Sequence, residues 1–259
     1  MSRSAVFALL LSALALGCSS RPQGSETLRV AAYNIKHGRG MDGEVDLARI
    51  AHVLRALDAD VITLQEVDRN TERTGGVDQV AVLAELLGVQ GFHGAHRPYQ
   101  GGEYGNAVLT RLPVRNVRVH PIPEAGGSRL AVHEVEVEVS TAPGGSVSVV
   151  SVHLAGTPDE RLAQADSLTR IFTGRSHPVI LAGDFNSRRG DAVMTALAGE
   201  WTMFGKRGKP DTYPSDAPDR EIDFVLFRPA GAFDVLDHFV VEEPMASDHR
   251  PILAELRLR

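Results

Sequence analysis

The chain has 259 residues, 43% of them hydrophobic, enough to bury the core of one large α/β domain or two small ones. A formal net charge of −6 supplies no global positive field for polyanions, and 5% aromatic content supplies no stacking platform for single strands. A phosphate-bearing ligand would therefore have to be held locally, for instance through a metal.

The amino terminus reads as a targeting segment. Arg3 gives a short basic start, and Ala5 to Leu16 is an apolar stretch too short to span a bilayer. Cys18 follows as the only cysteine, so no intramolecular disulfide is possible. The stretch "LALGCSS" resembles a bacterial lipobox, in which the cysteine is lipidated and becomes the new amino terminus. Ala15 stands where that pattern prefers leucine, and Ala15-Leu16-Gly17 equally suits ordinary signal cleavage. The first route implies an exported protein anchored to the cell-envelope membrane through Cys18, the second a periplasmic or secreted one. On either route residues 1–17 are a signal peptide, 18–27 a polar tether and 28–259 the folded domain.

From Leu28 onward strand and helix patterns alternate without a linker. Leu28–Ile35 predicts a strand, and Leu47, Ile50, Val53, Leu54 and Leu57 recur at helical spacing. Asp60–Val67 predicts a second strand, and Val77–Leu87 a helix stopped by Gly88. Strands are expected near 91–96, 105–111, 114–121, 129–139 and 146–154. In 129–139 the alternation slips at His133-Glu134, which predicts a bulge. A helix over 158–172, a strand over 178–183 and a short helix over 190–198 follow, then strands near 221–227, 233–241 and 250–258. Hairpin-rich strands with few helices predict two mainly antiparallel sheets packed face to face, with helices outside.

Polar residues gather at the ends of these strands. They are Tyr33-Asn34, Gln65-Glu66, Tyr104-Gly105-Asn106, His153, Asp184-Phe185-Asn186 and Ser247-Asp248-His249. Each alone is equally a solvated loop polar or a turn former. Asp223, inside the apolar run "IDFVL", is the exception, because burying it without a partner is costly.

Taken in order, "YNI", "QEVD", "YGNAVL", "HL", "GDFN", "IDFVL" and "SDH" resemble the endonuclease/exonuclease/phosphatase superfamily over residues 28–258. The resemblance implies a four-layer α/β sandwich and metal-dependent cleavage of a phosphate ester. It implies Glu66, Asn34 and Asp248 around Mg2+, with Mn2+ as a substitute. Asp184 would position or deprotonate the attacking water, and Asn186 would donate to phosphoryl oxygens. His249 would meet the scissile phosphate as base or charge stabiliser, oriented by Asp223. Tyr104 and His153 would contact phosphate from the opposite wall, with His153 assisting the leaving group. Arg129 is a looser match to an arginine that reaches a phosphate. Asn106 departs from the pattern, since deoxyribonuclease I-like members carry a carboxylate there to support the histidine. The loops "NIKHGRGMDG" and "QEVDRNTERTGGVDQ" resemble a narrower bacterial group and place Lys36, His37, Arg69 and Arg73 at the substrate entrance. Solvated loop charge is the alternative for Lys36 and Arg73, whereas the spacing of Arg69 from Glu66 favours it.

The reaction expected is hydrolysis of a phosphodiester, in a nucleic acid, a phospholipid or a small molecule, with a phosphomonoester as the alternative. A non-catalytic binding protein is disfavoured because Glu66, Asp184, Asn186, Asp223, Asp248 and His249 are all present. A zinc hydrolase is disfavoured because the ten histidines show no HxxxH spacing. Nothing in the sequence points to an obligate protein partner.

Overall fold

The computed structural model describes residues 27–259, so the signal-peptide and Cys18 expectations lie outside the described residues. The first half holds β1 (Thr27–Asn34), α1 (Leu47–Leu57), β2 (Val61–Arg69), α2 (Gln79–Leu87), β3 (Gln90–Tyr99) and β4 (Gly102–Thr110). A long hairpin follows, β5 (Val114–Ala125) and β6 (Ser128–Glu138), leading to β7 (Ser146–His153). Then come α3 (Pro158–Phe172), β8 (Val179–Asp184), α4 (Ala192–Ala198) and β9 (Thr202–Met203). The chain closes with β10 (Asp223–Arg228), β11 (Phe233–Val240) and β12 (Ile252–Leu258).

Two six-stranded sheets result, in the orders β11-β12-β1-β2-β4-β3 and β5-β6-β7-β8-β10-β9. Each is antiparallel except for one central parallel pair, β1 with β2 and β7 with β8. A parallel pair needs a crossover connection, and α1 and α3 provide it. The helices begin where side-chain oxygens can accept from free backbone N–H groups. Asp46 accepts from Arg49 N at 2.9 Å, Asp78 from Ala81 N at 3.0 Å, and Thr157 forms a reciprocal capping box with Glu160. Gly88, in the left-handed region, ends α2 as the sequence predicts.

Three apolar clusters confirm four layers. Val30, Val61, Val135, Val149, Ile180 and Ile252 fill the space between the sheets. Tyr33, Ile50, Leu54, Leu64 and Leu83 join the first sheet to α1 and α2, and Leu168, Phe172, Leu181, Met194 and Trp201 join the second sheet to α3 and α4. The expected sandwich is therefore correct.

The predicted bulge at His133-Glu134 is absent. Both residues lie in regular register, His133 opposite Val119 and Glu134 opposite Arg118. Both faces of β6 are buried here, and the apolar side chains change face along the strand. Leu130 and Val132 face the helices, whereas Val135 and Val137 face the other sheet. Glu134 is satisfied in its buried position by Ser148 Oγ at 2.6 Å, Arg175 Nη2 at 3.1 Å and His120 Nε2 at 2.6 Å. The ring of His133 lies against Gly94 of the opposing sheet, where a Cβ would come within 2.5 Å of its Cγ.

Gly94→Ala is accordingly predicted to lower stability by about 1–3 kcal/mol through overpacking. Urea unfolding reads this loss, which should shrink when His133→Ala makes room.

Candidate active site

The carboxyl ends of the two parallel pairs meet at one end of the sandwich. There Asn34 is the register partner of Gln65, and His153 that of Asp184. The interior between the sheets becomes polar toward this end. Thr63 Oγ1 donates to Ala182 O at 3.1 Å, Gln65 Nε2 to Ser151 Oγ at 3.0 Å, and Asn106 Nδ2 to Ser151 O at 3.1 Å. Last in the series, Asn34 Nδ2 donates at 3.1 Å to Glu66 Oε1 and at 3.1 Å to Asp184 Oδ2. One buried amide thus holds a carboxylate from each sheet.

Local backbone geometry aims these groups. The β2–β4 register shifts between Leu64 and Val67, and Glu66 sits in that bulge with φ +57°. Asn186 also has positive φ, +48°, and its backbone N–H donates to Asp184 Oδ1 at 2.8 Å. Gly183, before Asp184, has φ +149°, and a Cβ there would lie 2.0 Å from Val152 O. Only glycine lets β7 and β8 approach so closely just before the carboxylate.

Asp184 and Asp223 are direct cross-strand partners on β8 and β10. Two carboxylates so placed repel, and the His249 imidazole offsets this. Its Nδ1–H donates to Asp223 Oδ2 at 3.0 Å, while its Nε2 lies 3.7 Å from Asp184 Oδ2. Burial alone would lower the His249 pKa, but the charges of Asp223 and Asp184 outweigh it and hold the ring up at about 10. Burial raises the Asp184 carboxyl, helped by Asp223 and opposed by His249 and His153. His153 Nε2 also lies 3.7 Å from Asp184 Oδ2, so this carboxylate sits between two imidazoles.

Further residues, which periodicity does not single out, brace the pair. Thr212 Oγ1 donates to the same Asp223 oxygen that His249 uses. Lys206, with a buried ammonium, donates to Asp223 O at 2.8 Å and to Glu221 Oε1 at 2.7 Å. The ring of Tyr213 lies 4.9 Å from that of His249. Thr212, Tyr213 and Lys206 come from an irregular segment, so their only sequence signal is that they precede "EIDFVL" closely.

A cleft of about 360 Å³ opens over this arrangement, lined in part by Glu66, Asp184, Asn186, Asp248 and His249. Asp248 pairs with Lys36 Nζ at 2.8 Å. Glu66 accepts one hydrogen bond, from Asn34, and pairs with no cation among the described residues. Hard oxygen donors at the cleft, with the Glu66 carboxylate lacking a cationic partner among the described residues, fit a divalent cation such as Mg2+. Glu66 and Asp248 are the oxygens available to it. Both ends of the Asn34 amide are already used, since Oδ1 accepts from Lys36 N at 3.1 Å. Asn34 therefore positions the carboxylates, and the second lone pair of its Oδ1 leaves it able to join Glu66 and Asp248 around a cation. The atoms of Asp184, Asp223 and His249 are also close enough to surround a cation, lying within 4.8 Å of one another. Their hydrogen bonding favours a relay instead, because a shared ion would have to replace the Nδ1–H bond to Asp223.

The remaining expected residues divide. Tyr104 stands on the far wall, where burial, Glu66 and Asp184 raise its phenol pKa. His37 has φ +47°, and its pKa is lowered by burial and then by Arg73. Asn106 offers His153 no support, because it donates to Ser151 O, and its Oδ1 and His153 Nδ1 are both buried without partners. Arg129 is exposed at the start of β6, at the sheet end where β7 finishes, and holds no partner among the described residues. Arg69 is a correction. It alternates with Asp68 along β2, projects from the opposite face, and is held there by Glu103. Arg73 is the arginine that turns back toward Tyr104, with its Cζ 5.6 Å from the ring centre.

Known proteins resemble this chain in sequence and fold over most of its length. The chain is 26% identical over 248 residues to the uncharacterized protein YbhP of Escherichia coli K12, covering 90% of this chain and 97% of that one. An endonuclease/exonuclease/phosphatase structure from Beutenbergia cavernae superposes with a TM-score of 0.73 at 30% identity, covering 90% of this chain and 72% of that one. A humanized TDP2 from D. rerio shares the fold, with a TM-score of 0.71 at 19% identity and coverage of 90% and 99%. The model of the Endonuclease/Exonuclease/phosphatase family matches residues 31–249. With that match spanning nearly all of the sandwich and both halves of the cleft, this chain belongs to the Endonuclease/Exonuclease/phosphatase family.

Proposed function

We propose that the protein is a metal-dependent phosphodiesterase. One observation carries the reading. Asp184, raised by burial, is held at 3.1 Å by Asn34 beside Glu66 and faces two imidazole nitrogens at 3.7 Å. A divalent cation on Glu66 and Asp248 would neutralise phosphoryl charge and polarise the phosphorus for attack. A buried carboxylate of raised pKa is a stronger base, which suits Asp184 to orient a water and take its proton. Asn34 and the Asn186 N–H keep that carboxylate in place. His249, kept cationic by Asp223, presents Nε2 to the phosphoryl oxygens as charge develops on them. Thr212 and Lys206 fix Asp223, and through it the ring. Tyr104 closes the opposite wall. With no carboxylate on its Nδ1, His153 serves as a phosphate contact in this reading.

The substrate is a nucleic acid, a phospholipid or a small phosphate ester. One observation favours the phospholipid. Met41, Val45 and Met245 are 39%, 42% and 45% exposed. They gather at the rim near Lys36 and Asp248, with Met41 N–H donating to Met245 O at 2.9 Å. Such a rim suits a substrate with an apolar tail, presented to an enzyme tethered at the same membrane through Cys18.

With bis-p-nitrophenyl phosphate as substrate, EDTA should abolish turnover and Mg2+ or Mn2+ should restore it. Turnover that persists in excess chelator would remove the metal from the mechanism. Cys18→Ser should move the protein from the membrane to the soluble fraction; unchanged membrane association would argue against the lipid anchor.

A further inference from the structure

A row of side chains crosses the first sheet beside the cleft, on the Tyr104 side. Asp68 on β2, Tyr104 on β4 and Arg97 on β3 are cross-strand partners. Asp68 is two residues beyond Glu66, a separation of roughly 7 Å along a strand. Arg73 folds back from the loop after β2, and its Nε and Nη2 donate to Asp68 at 2.7 and 2.8 Å. Thr71 Oγ1 donates to the same buried carboxylate at 2.7 Å, so the Arg73 fork is fixed before any ligand arrives.

Two guanidinium groups thus meet two rings. Arg73 Cζ lies 4.7 Å from the centre of Tyr99, and Arg97 Cζ lies 4.9 Å from that of Tyr104. The rings hold the cations rather than offering a clear face to a base. The charges, however, do not cancel. Arg73 Nη1 makes no hydrogen bond, and half-buried Arg97 has neither a hydrogen bond nor an ion pair among the described residues. A fixed fork next to an unpaired guanidinium is suited to an oxyanion, because both present N–H groups in the planar pattern that phosphate accepts.

We propose that Arg73, Arg97 and Tyr104 form a second anion subsite, which receives a further phosphate group of the substrate beside the one that reacts. This rests on the phosphodiesterase reading and narrows it to esters carrying two phosphates. A second phosphate on a phospholipid headgroup or small molecule and an adjacent phosphate of an oligonucleotide present the same chemistry.

Two measurements on the mature protein test the subsite. In the first, inorganic phosphate is titrated calorimetrically into protein kept free of divalent metal. Binding is expected, and Arg97→Ala should weaken it at least tenfold, with partial recovery in Arg97→Lys. In the second, kcat/KM is compared for a thymidine dinucleotide with and without a 5′-phosphate, and for the diester glycerophosphoinositol with and without a phosphate on its ring. The wild type should prefer the doubly phosphorylated member of the pair it cleaves, which identifies the source. Arg97→Ala should reduce that preference at least tenfold. No phosphate binding by the wild type, or equal losses on singly and doubly phosphorylated substrates, would overturn the subsite and leave the arginines as clamps on the β3–β4 hairpin. If no ester is hydrolysed at all, the phosphodiesterase reading fails, and the calorimetry still decides the subsite.

Discussion

The site depends on one amide. Asn34 Nδ2 donates to Glu66 and to Asp184, each at 3.1 Å, and so joins the end of β1 to a carboxylate on each sheet. Burying an amide costs free energy unless its hydrogen bonds are made, and here Nδ2 and Oδ1 are both engaged. Since Asp184 lies on the second sheet, this clamp works only while the two sheets keep their relative position. The valine-rich cluster between them sets that position, and the bonds of Thr63, Gln65 and Asn106 transmit it toward the cleft.

Departures from regular structure fall where the chemistry is. Glu66 occupies a bulge at positive φ, and Asn186 also lies in the left-handed region. Such conformations cost on the order of 1 kcal/mol or more and persist when packing determines them. The facing carboxylates Asp184 and Asp223 are a second cost, offset by the imidazole between them. The bracing of Asp223 by Thr212 and of its strand by Lys206 follows from this, because an unbalanced shift of either carboxylate would leave buried charge unpaired.

Most of the architecture was legible in the sequence because the strands carry long apolar runs and the helices keep their period and caps. Polar residues at strand ends carried the site, and Asp223 signalled a partner by standing in an apolar run. What escaped the reading has physical causes. Alternation at His133-Glu134 misled because both faces of β6 are buried, so a change of apolar face looks like an inserted residue. Thr212 and Lys206 act from a segment without periodicity, and only the fold brings them to Asp223. Arg69 still lies on β2, where alternation sends it to Glu103, whereas Arg73 lies in the loop beyond and folds back to Asp68. Spacing from Glu66 could not reveal this, because the bulge changes the count.

In the proposed reaction Asn34 acts through the carboxylates it clamps, and Asp184 is the one that meets the attacking water. A double-mutant cycle of Asn34→Ala and Asp184→Ala on kcat/KM tests it most directly. The double variant is expected to be scarcely worse than Asp184→Ala alone, with a coupling of at least about 1 kcal/mol. Losses that add to within about 0.5 kcal/mol would show that the amide and the carboxylate act independently, and would contradict this role of Asn34.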